Sequence, residues 1–404
     1  MNFNICNPNL SNAVEAMWNR IEDAKMNSYY YNFNPINSLD SSNAWVDTVD
    51  GKKLMFATYN YLGLLGDSRI NDAAIRAVEK YGTGTHGVRI FGGNLDLHEV
   101  LETKIARFTK REAAIVYSTG YMTNLTTINS LVSNKDWIIS DRLNHASIVD
   151  GCLISKAHFK RFQHNDMNDL ERLLKIAPLG ITKLVIADAV FSMDGDIFNL
   201  PDAYKLCKKY GAILMIDEAH SLGVLGKTGR GIEEHYGLEN VIDVKMGTLS
   251  KAIPAIGGYI SGDEKLINYL KHSARGFVFS AALSPPIAAA ALEALDIIEK
   301  EFSTLQKKLN HNFKRFSQGL SQAGLNIGNS ETSIVPVIVG SNDLAMKITS
   351  ICQEKNVFAL PVLTPAVPPM TARMRLNVTV KHSNEDIDYA INTIVQAAKE
   401  LQII

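Results

Sequence analysis

Residues 211–226 read GAILMIDEAHSLGVLG. The run is apolar from Ala212 to Ile216 and turns polar at Asp217 and Glu218. Its apolar residues do not alternate with polar ones, so both faces of the segment are covered. That pattern belongs to a strand of a mainly parallel sheet packed between helices. Ligands of open α/β sheets bind beyond the carboxyl ends of the strands. Asp217, Glu218 and His220 therefore stand where a ligand would lie. The same kind of run recurs as AAIVYST (113–119), WIISDR (137–142), KLVIADAV (183–190), VIDVKMGT (241–248) and GGYISG (257–262). Helical patterns such as DMNDLERLLKIA (166–177) and NLPDAYKLCKKY (199–210) fall between them. The predicted fold class is α/β, a layered domain around a mainly parallel sheet.

Three parts are predicted along the chain. Residues 1–49 hold an amphipathic helix and an aromatic linker, YYYNFNPIN (29–37). Residues 50–285 form the large α/β domain. Residues 286–404 form a smaller α+β domain, with a long helix after SPP (284–286) and the strands TSIVPVIVG, NVFALPV and ARMRLNVTV.

Composition narrows the function. The chain has 404 residues, 46% apolar and 21% charged, as in ordinary globular proteins. Lys plus Arg is 41 and Asp plus Glu is 42, a net charge of −1. That balance gives no support to nucleic-acid binding or to a basic membrane-surface patch. Cys6, Cys152, Cys207 and Cys352 are far apart and form no CxxC pair, so neither a disulfide framework nor a metal site is expected. The start MNFNICNPNL lacks the pattern of a secretory signal, and no apolar run reaches the roughly 18 residues of a membrane helix. A cytoplasmic protein without stable membrane insertion is expected.

The chemistry centres on MGTLSKAIPAIGGY (246–259), in which Lys251 is the only charge. Lysine is rarely buried unless something occupies its amine. Here it can be an ion-pair partner, a phosphate ligand or a Schiff-base nucleophile. STGYMTN (118–124) follows a strand and opens a helix, so its amides can hold a phosphate. It is not a GxxxxGK[ST] loop, which argues against a nucleoside triphosphate. GTGTHG (82–87) matches GxGxxG by letter but follows no strand, so it is not a dinucleotide fingerprint. SDRLNHASIVDG (140–151) places His145 after a strand, where an imidazole can stack on a flat ring. FSMDGD (191–196) places Ser192 after another. Each signal is weak alone. Together, four strand ends describe a site for a flat, phosphorylated, nitrogen-containing aldehyde.

The ordered set GTHGVRIFGGN, STGYMTN, NHASIVDG, FSMDGD, DEAHSLGVLGKTGRG and GTLSKA resembles the α-oxoamine synthases, from about residue 45 to the C-terminus. These are pyridoxal 5′-phosphate (PLP) enzymes of the aspartate-aminotransferase-like fold, fold type I. Members include serine palmitoyltransferase, 8-amino-7-oxononanoate synthase, 5-aminolevulinate synthase and glycine C-acetyltransferase. They condense an amino acid with an acyl thioester, most with loss of carbon dioxide. The resemblance implies that Lys251 holds the cofactor as a Schiff base and that Asp217 pairs with its pyridine nitrogen. It implies that His145 stacks on the ring and that Ser192 and His220 hydrogen-bond the ring oxygen. Gly120 and Tyr121 would hold the phosphate through backbone amides, helped by the Thr248 hydroxyl. Ser280, in FVFSAALSPP, would reach the phosphate of a neighbouring subunit in a homodimer with shared active sites. Arg375, in TARMRL, would grip the substrate carboxylate, with Asn60 and His145 also at the substrate.

Some positions depart from the family. Leu363, in VLTPAVPP, stands where an arginine is usual in the bacterial serine palmitoyltransferases and oxononanoate synthases. NSYYYNFNPIN (27–37) lacks the arginine with which oxononanoate synthases hold the pimeloyl carboxylate. A carboxylate at the far end of the acyl chain would be buried unpaired, which is costly. A longer apolar acyl group, on coenzyme A or an acyl carrier protein, fits better, and YYYNF either lines its channel or packs ordinarily. Tyr59, in TYNYLG, replaces a common asparagine, and Pro254, in AIPAIGG, stiffens the turn after Lys251. Serine, glycine and alanine are the candidate amino acids. Glycine C-acetyltransferase and oxononanoate synthase are alternatives within the family. An aminotransferase and a non-catalytic synthase subunit are alternatives outside that chemistry.

Overall fold

The strand Ile213–Asp217 lies at the centre of a seven-stranded sheet, and both of its faces are covered. The protein is described by a computed structural model, which places residues 12–27, 29–31, 33–39 and 44–404. In spatial order the sheet runs Ala113–Tyr117, Pro254–Gly262, Val244–Ser250, Ile213–Asp217, Lys183–Asp188, Trp137–Asp141, His158–Phe162. The last five are mutually parallel. Pro254–Gly262 runs antiparallel to both of its neighbours.

The absence of alternation in the apolar runs has a direct cause. Successive side chains of a strand point to opposite faces. Leu184 and Ile186 enter one core while Val185 and Ala187 enter the other, and all four are fully buried. A strand with helices on both sides must be apolar throughout. The edge strand His158–Phe162 is different. Its HFKRF sequence is largely exposed, with Lys160 and Arg161 guarding the edge, so it carries no apolar signal.

The small domain departs from the predicted boundaries. Its three-stranded antiparallel sheet orders Ile334–Gly340, Ala372–Asn377, Leu360–Val362. A second sheet joins Ile36–Leu39, Trp45–Thr48 and Gly51–Met55 to the short strand Val357–Phe358. Val357 pairs with Leu54 in parallel register. Leu54 and Phe56, fully buried, belong to the small-domain core with Phe316 and Leu320. Residues 36–39 and 44–56 therefore belong with the C-terminal part rather than forming a linker and the start of the large domain. A two-residue strand cannot stand alone and takes its partner from the distant end of the chain. Tyr31 of the YYYNF stretch donates to or accepts from Ser350 Oγ at 2.7 Å, against the helix Asn342–Glu354. The helix Pro285–Gln322 starts as predicted but runs through both domains.

Cys152, Cys207 and Cys352 are buried and unpaired, and Cys6 lies outside the described residues. Among the described residues no helix is long and apolar enough to cross a membrane, and no cluster of His, Cys, Asp and Glu could hold a metal.

Candidate active site

The carboxyl ends of the central strands open into a cavity of ≈ 390 Å³. Lys251, Asp217, His145 and His220 line it, as do Ser192, Thr248, Gly120 and Tyr121. Asp217 ends its strand and is buried. One of its oxygens accepts from Asn124 Nδ2 at 2.7 Å and the other from the Ala219 amide at 2.9 Å. Asp188 ends the neighbouring strand directly opposite Asp217. Burial pushes the Asp188 carboxyl well above the usual carboxylate range, and the charge of Asp217 adds to the shift. The Asp188 carboxylate accepts from the His145 amide at 2.8 Å.

Lys251 follows the strand Val244–Ser250. Its Nζ lies 2.7 Å from His220 Nε2, and His220 Nδ1 lies 2.7 Å from the Tyr61 hydroxyl. Burial lowers the lysine to about 8, with Arg375 adding to the fall and the carboxylates of Asp217 and Asp188 opposing it. Burial also holds His220 well below the ordinary histidine value, and the charges of Lys251 and Arg375 act the same way. His145 is lowered by burial too, against the pull of Asp217. Both imidazoles are neutral bases or hydrogen-bonding groups at neutral pH.

Two helices begin at the cavity. Thr119 caps Gly120–Leu131 by accepting from the Met122 amide, and His145 caps Ala146–Ile154 by accepting from the Ser147 amide. The first turn of the former leaves the Gly120 and Tyr121 amides unused within the helix. Thr248 Oγ1 stands close by, and a Cβ on Gly120 would come within 2.9 Å of it.

The small domain reaches this site through Ala372–Asn377, whose alternation puts residues 373 and 375 on one face. Arg373 donates to Asp194 Oδ1 at 2.6 Å and to the Met193 carbonyl at 3.1 Å. Arg375 Nε donates to the Ser192 carbonyl. Arg375 Nη2 is buried and has no hydrogen-bond partner among the described residues. A buried guanidinium nitrogen left unpaired is expensive, and an anionic ligand removes the deficit. The Tyr59 ring stands near both groups, 5.1 Å from Arg375 Cζ and 5.5 Å from Lys251 Nζ.

The sequence matches the family described as aminotransferase class I and II over residues 51–394. It is 44% identical to an 8-amino-7-oxononanoate synthase of Thermoanaerobacter pseudethanolicus, covering 91% of this chain and 93% of that one. It is 39% identical to a serine palmitoyltransferase of Sphingobacterium spiritivorum, covering 96% of each. The fold matches a serine palmitoyltransferase from S. paucimobilis with bound PLP and myriocin, with TM-score 0.94 and 28% identity over 97% of this chain and 99% of that chain.

The chain belongs to the α-oxoamine synthases of this family.

An α-oxoamine synthase is a PLP-dependent enzyme, and the residues present fit the cofactor. The Gly120 cradle leaves room for a phosphate at a helix N-terminus where a Cβ would intrude. A buried carboxylate and a buried amine stand at the cavity wall, matching the cofactor's ring nitrogen and aldehyde.

Three positions in this synthase differ from expectation, and one of them, Arg375, is buried and does not line the cavity. Asn60 does not line the cavity; its Oδ1 accepts the Leu65 amide at 3.1 Å and closes a local turn. Tyr59 takes the place at the cavity instead. Ser280 does not line the cavity of its own chain. No residue of YYYNF among those described lines it either, because Tyr31 is held at the small domain. Asp188, Asn124 and Tyr61 went unrecognised in the sequence. Asp188 carries the same signal as Asp217, a carboxylate at the end of an apolar run. The residues Ala189, Val190 and Phe191 hide it by continuing the run.

Proposed function

We propose that the chain joins a small α-amino acid (serine, glycine or alanine) to an acyl thioester, with loss of the amino-acid carboxylate as carbon dioxide. The acyl group is long and apolar and arrives on coenzyme A or a carrier protein, as in a serine palmitoyltransferase reaction. The observation that supports this is a lysine amine, Lys251, whose pKa burial lowers to about 8, close to a guanidinium with a vacant nitrogen, Arg375.

Arg375 receives the amino-acid carboxylate and fixes the direction of the bond to be broken. Lys251 Nζ removes the Cα proton, for which it must be neutral, and burial in an apolar pocket favours that state. His220, neutral and braced by Tyr61, orients the amine. A carbon–carbon bond to the acyl carbon replaces the thioester bond, and the sulfur leaves as thiolate and takes a proton from solvent. Lys251 returns the proton once the carboxylate has departed. The bound cofactor supplies the electron sink for proton removal and decarboxylation. Asp217 would pair with its ring nitrogen, His145 would stack on its ring, and Ser192 and His220 would hydrogen-bond its ring oxygen. The Gly120 and Tyr121 amides and the Thr248 hydroxyl would hold its phosphate.

A homodimer completes the site, with Ser280 reaching the phosphate in the partner subunit. In support, Phe91 and Phe279 are 85% and 71% exposed on loops joined by the Val88–Ala281 bridge. Such an apolar patch is typical of a covered surface. The cytoplasm is the proposed location.

A second reading is an oxononanoate synthase acting on an acyl group with a terminal carboxylate. A crevice of ≈ 640 Å³ shares Met193 with the active cavity and is lined by Arg142 and Arg161. Neither arginine makes an ion pair among the described residues.

The test is a thiol-release screen with product masses. Glycine, alanine and serine are crossed with acyl-CoAs from acetyl to palmitoyl, plus pimeloyl-CoA, and the preferred acyl donor is retested on a loaded carrier protein. Turnover with long apolar chains is expected. Turnover confined to pimeloyl-CoA selects the second reading, and turnover confined to acetyl-CoA with glycine overturns both. Amino-group exchange with a 2-oxo acid and no thiol release would make the chain an aminotransferase. Failure of borohydride to fix cofactor on Lys251 would make it a non-catalytic subunit.

A further inference from the structure

Tyr59 lines the active cavity, and the reaction proposed above gives it no task. Its ring centroid is 5.5 Å from Lys251 Nζ and 5.1 Å from Arg375 Cζ, and it meets the His220 ring edge-on at 5.9 Å and 62°. The Arg375 guanidinium, within about 6 Å of the ring, holds it by cation–π attraction. The ring is thus anchored rather than swinging freely. Arg375 is 9% exposed and does not line the cavity, whereas Tyr59 is 46% exposed and does.

These distances place the ring against a bound amino acid. Lys251 must come within hydrogen-bonding distance of the Cα proton. Arg375 must meet the carboxylate, whose carbon is bonded directly to Cα. A ring that flanks both the amine and the guanidinium also flanks the Cα held between them. Space for a substituent on Cα is then limited by the ring. We infer that Tyr59 sets an upper size limit on the amino-acid substrate, admitting glycine, alanine and serine and excluding threonine, which adds a methyl group to serine. The inference rests on the roles given to Lys251 and Arg375.

The holoenzyme and its Y59A and Y59F variants test it with two readouts. One is kcat/KM for glycine, alanine, serine and threonine with a single acyl-CoA. The other is the calorimetric Kd of each amino acid without any thioester. In Y59A the threonine-to-serine ratio should rise about tenfold or more in both readouts, the scale set by one methyl group against a pocket wall. In Y59F the ratio should stay within about threefold of wild type, because the ring and not the hydroxyl is the wall. A ratio in Y59A that stays within about threefold of wild type in both readouts overturns the inference. If amino acids bind but no acyl donor releases thiol, the proposed reaction fails, and the ratio of Kd values still decides the role of Tyr59.

Discussion

Burial makes Lys251 a stronger acid than an ordinary lysine, and this makes its reactivity a measurable signature. In cofactor-free protein its amine should titrate near pH 8, while exposed lysines titrate near 10.4. Raising the pH from 7 to 9 therefore takes its neutral fraction from roughly a tenth to roughly nine-tenths. Site-resolved reductive methylation should show that rise at Lys251 and not at exposed lysines. Asp217 holds the value up through its charge. D217N should move the midpoint lower still, and an unchanged or higher midpoint would contradict the electrostatic assignment. Asp217, Lys251 and His220 were legible in the sequence because each follows the end of an apolar strand. Tyr61 was not, since its hydroxyl reaches His220 across 159 residues and no local spacing encodes that distance. Asn60 misled for a related reason. Adjacent residues in a turn point in different directions, and the cavity faces Tyr59.

At the scale of elements, the start of helix Gly120–Leu131 should be intolerant of any side chain. G120A brings a Cβ within 2.9 Å of Thr248 Oγ1 and fills the proposed phosphate position. Overpacking of this kind costs about 1–3 kcal/mol. The Kd for PLP, measured by fluorescence titration, should rise about tenfold or more while circular dichroism stays unchanged. A second element-level device is the brace at His164. Its Nε2 meets Asp196 Oδ2 at 2.8 Å and its Nδ1 meets Asp141 Oδ1 at 3.1 Å. It ties the end of strand Trp137–Asp141 to the loop that carries Ser192. Burial opposes the imidazolium, but the two carboxylates outweigh it and raise His164 to about 10. The folded state therefore holds this proton more tightly than the unfolded chain does. The stabilisation is fully present below pH 6.5 and is lost as the pH rises through about 10. H164Q should cost about 1 kcal/mol at pH 6, after solvent screening, and close to nothing above pH 10, by urea denaturation. Buried strands and capped helices announced themselves by apolarity and period. The edge strand HFKRF did not, because an edge is protected by charge rather than by burial.

Across the whole molecule, the two ends of the chain share one core. Leu54 is fully buried among Phe316, Val357 and Leu376, so L54A should destabilise the fold by about 2–5 kcal/mol in chemical denaturation. A loss below about 0.5 kcal/mol would place residues 44–56 outside that core. This closure was invisible in the sequence, since pairing between Val357 and Leu54 depends on topology and not on local pattern. The α/β architecture, by contrast, was readable throughout, because a sheet covered on both faces writes itself as unbroken apolar runs. The helix Pro285–Gln322 adds a mechanical constraint. Its 38 residues span about 57 Å, with Ala291 and Ile298 seated in the large core and Phe316 and Leu320 in the small one. A single rod clamped at both ends has no joint between the clamps. Arg375 can approach or leave Lys251 only as far as the rod bends, so the grip proposed for the carboxylate would be set at folding and move little during turnover.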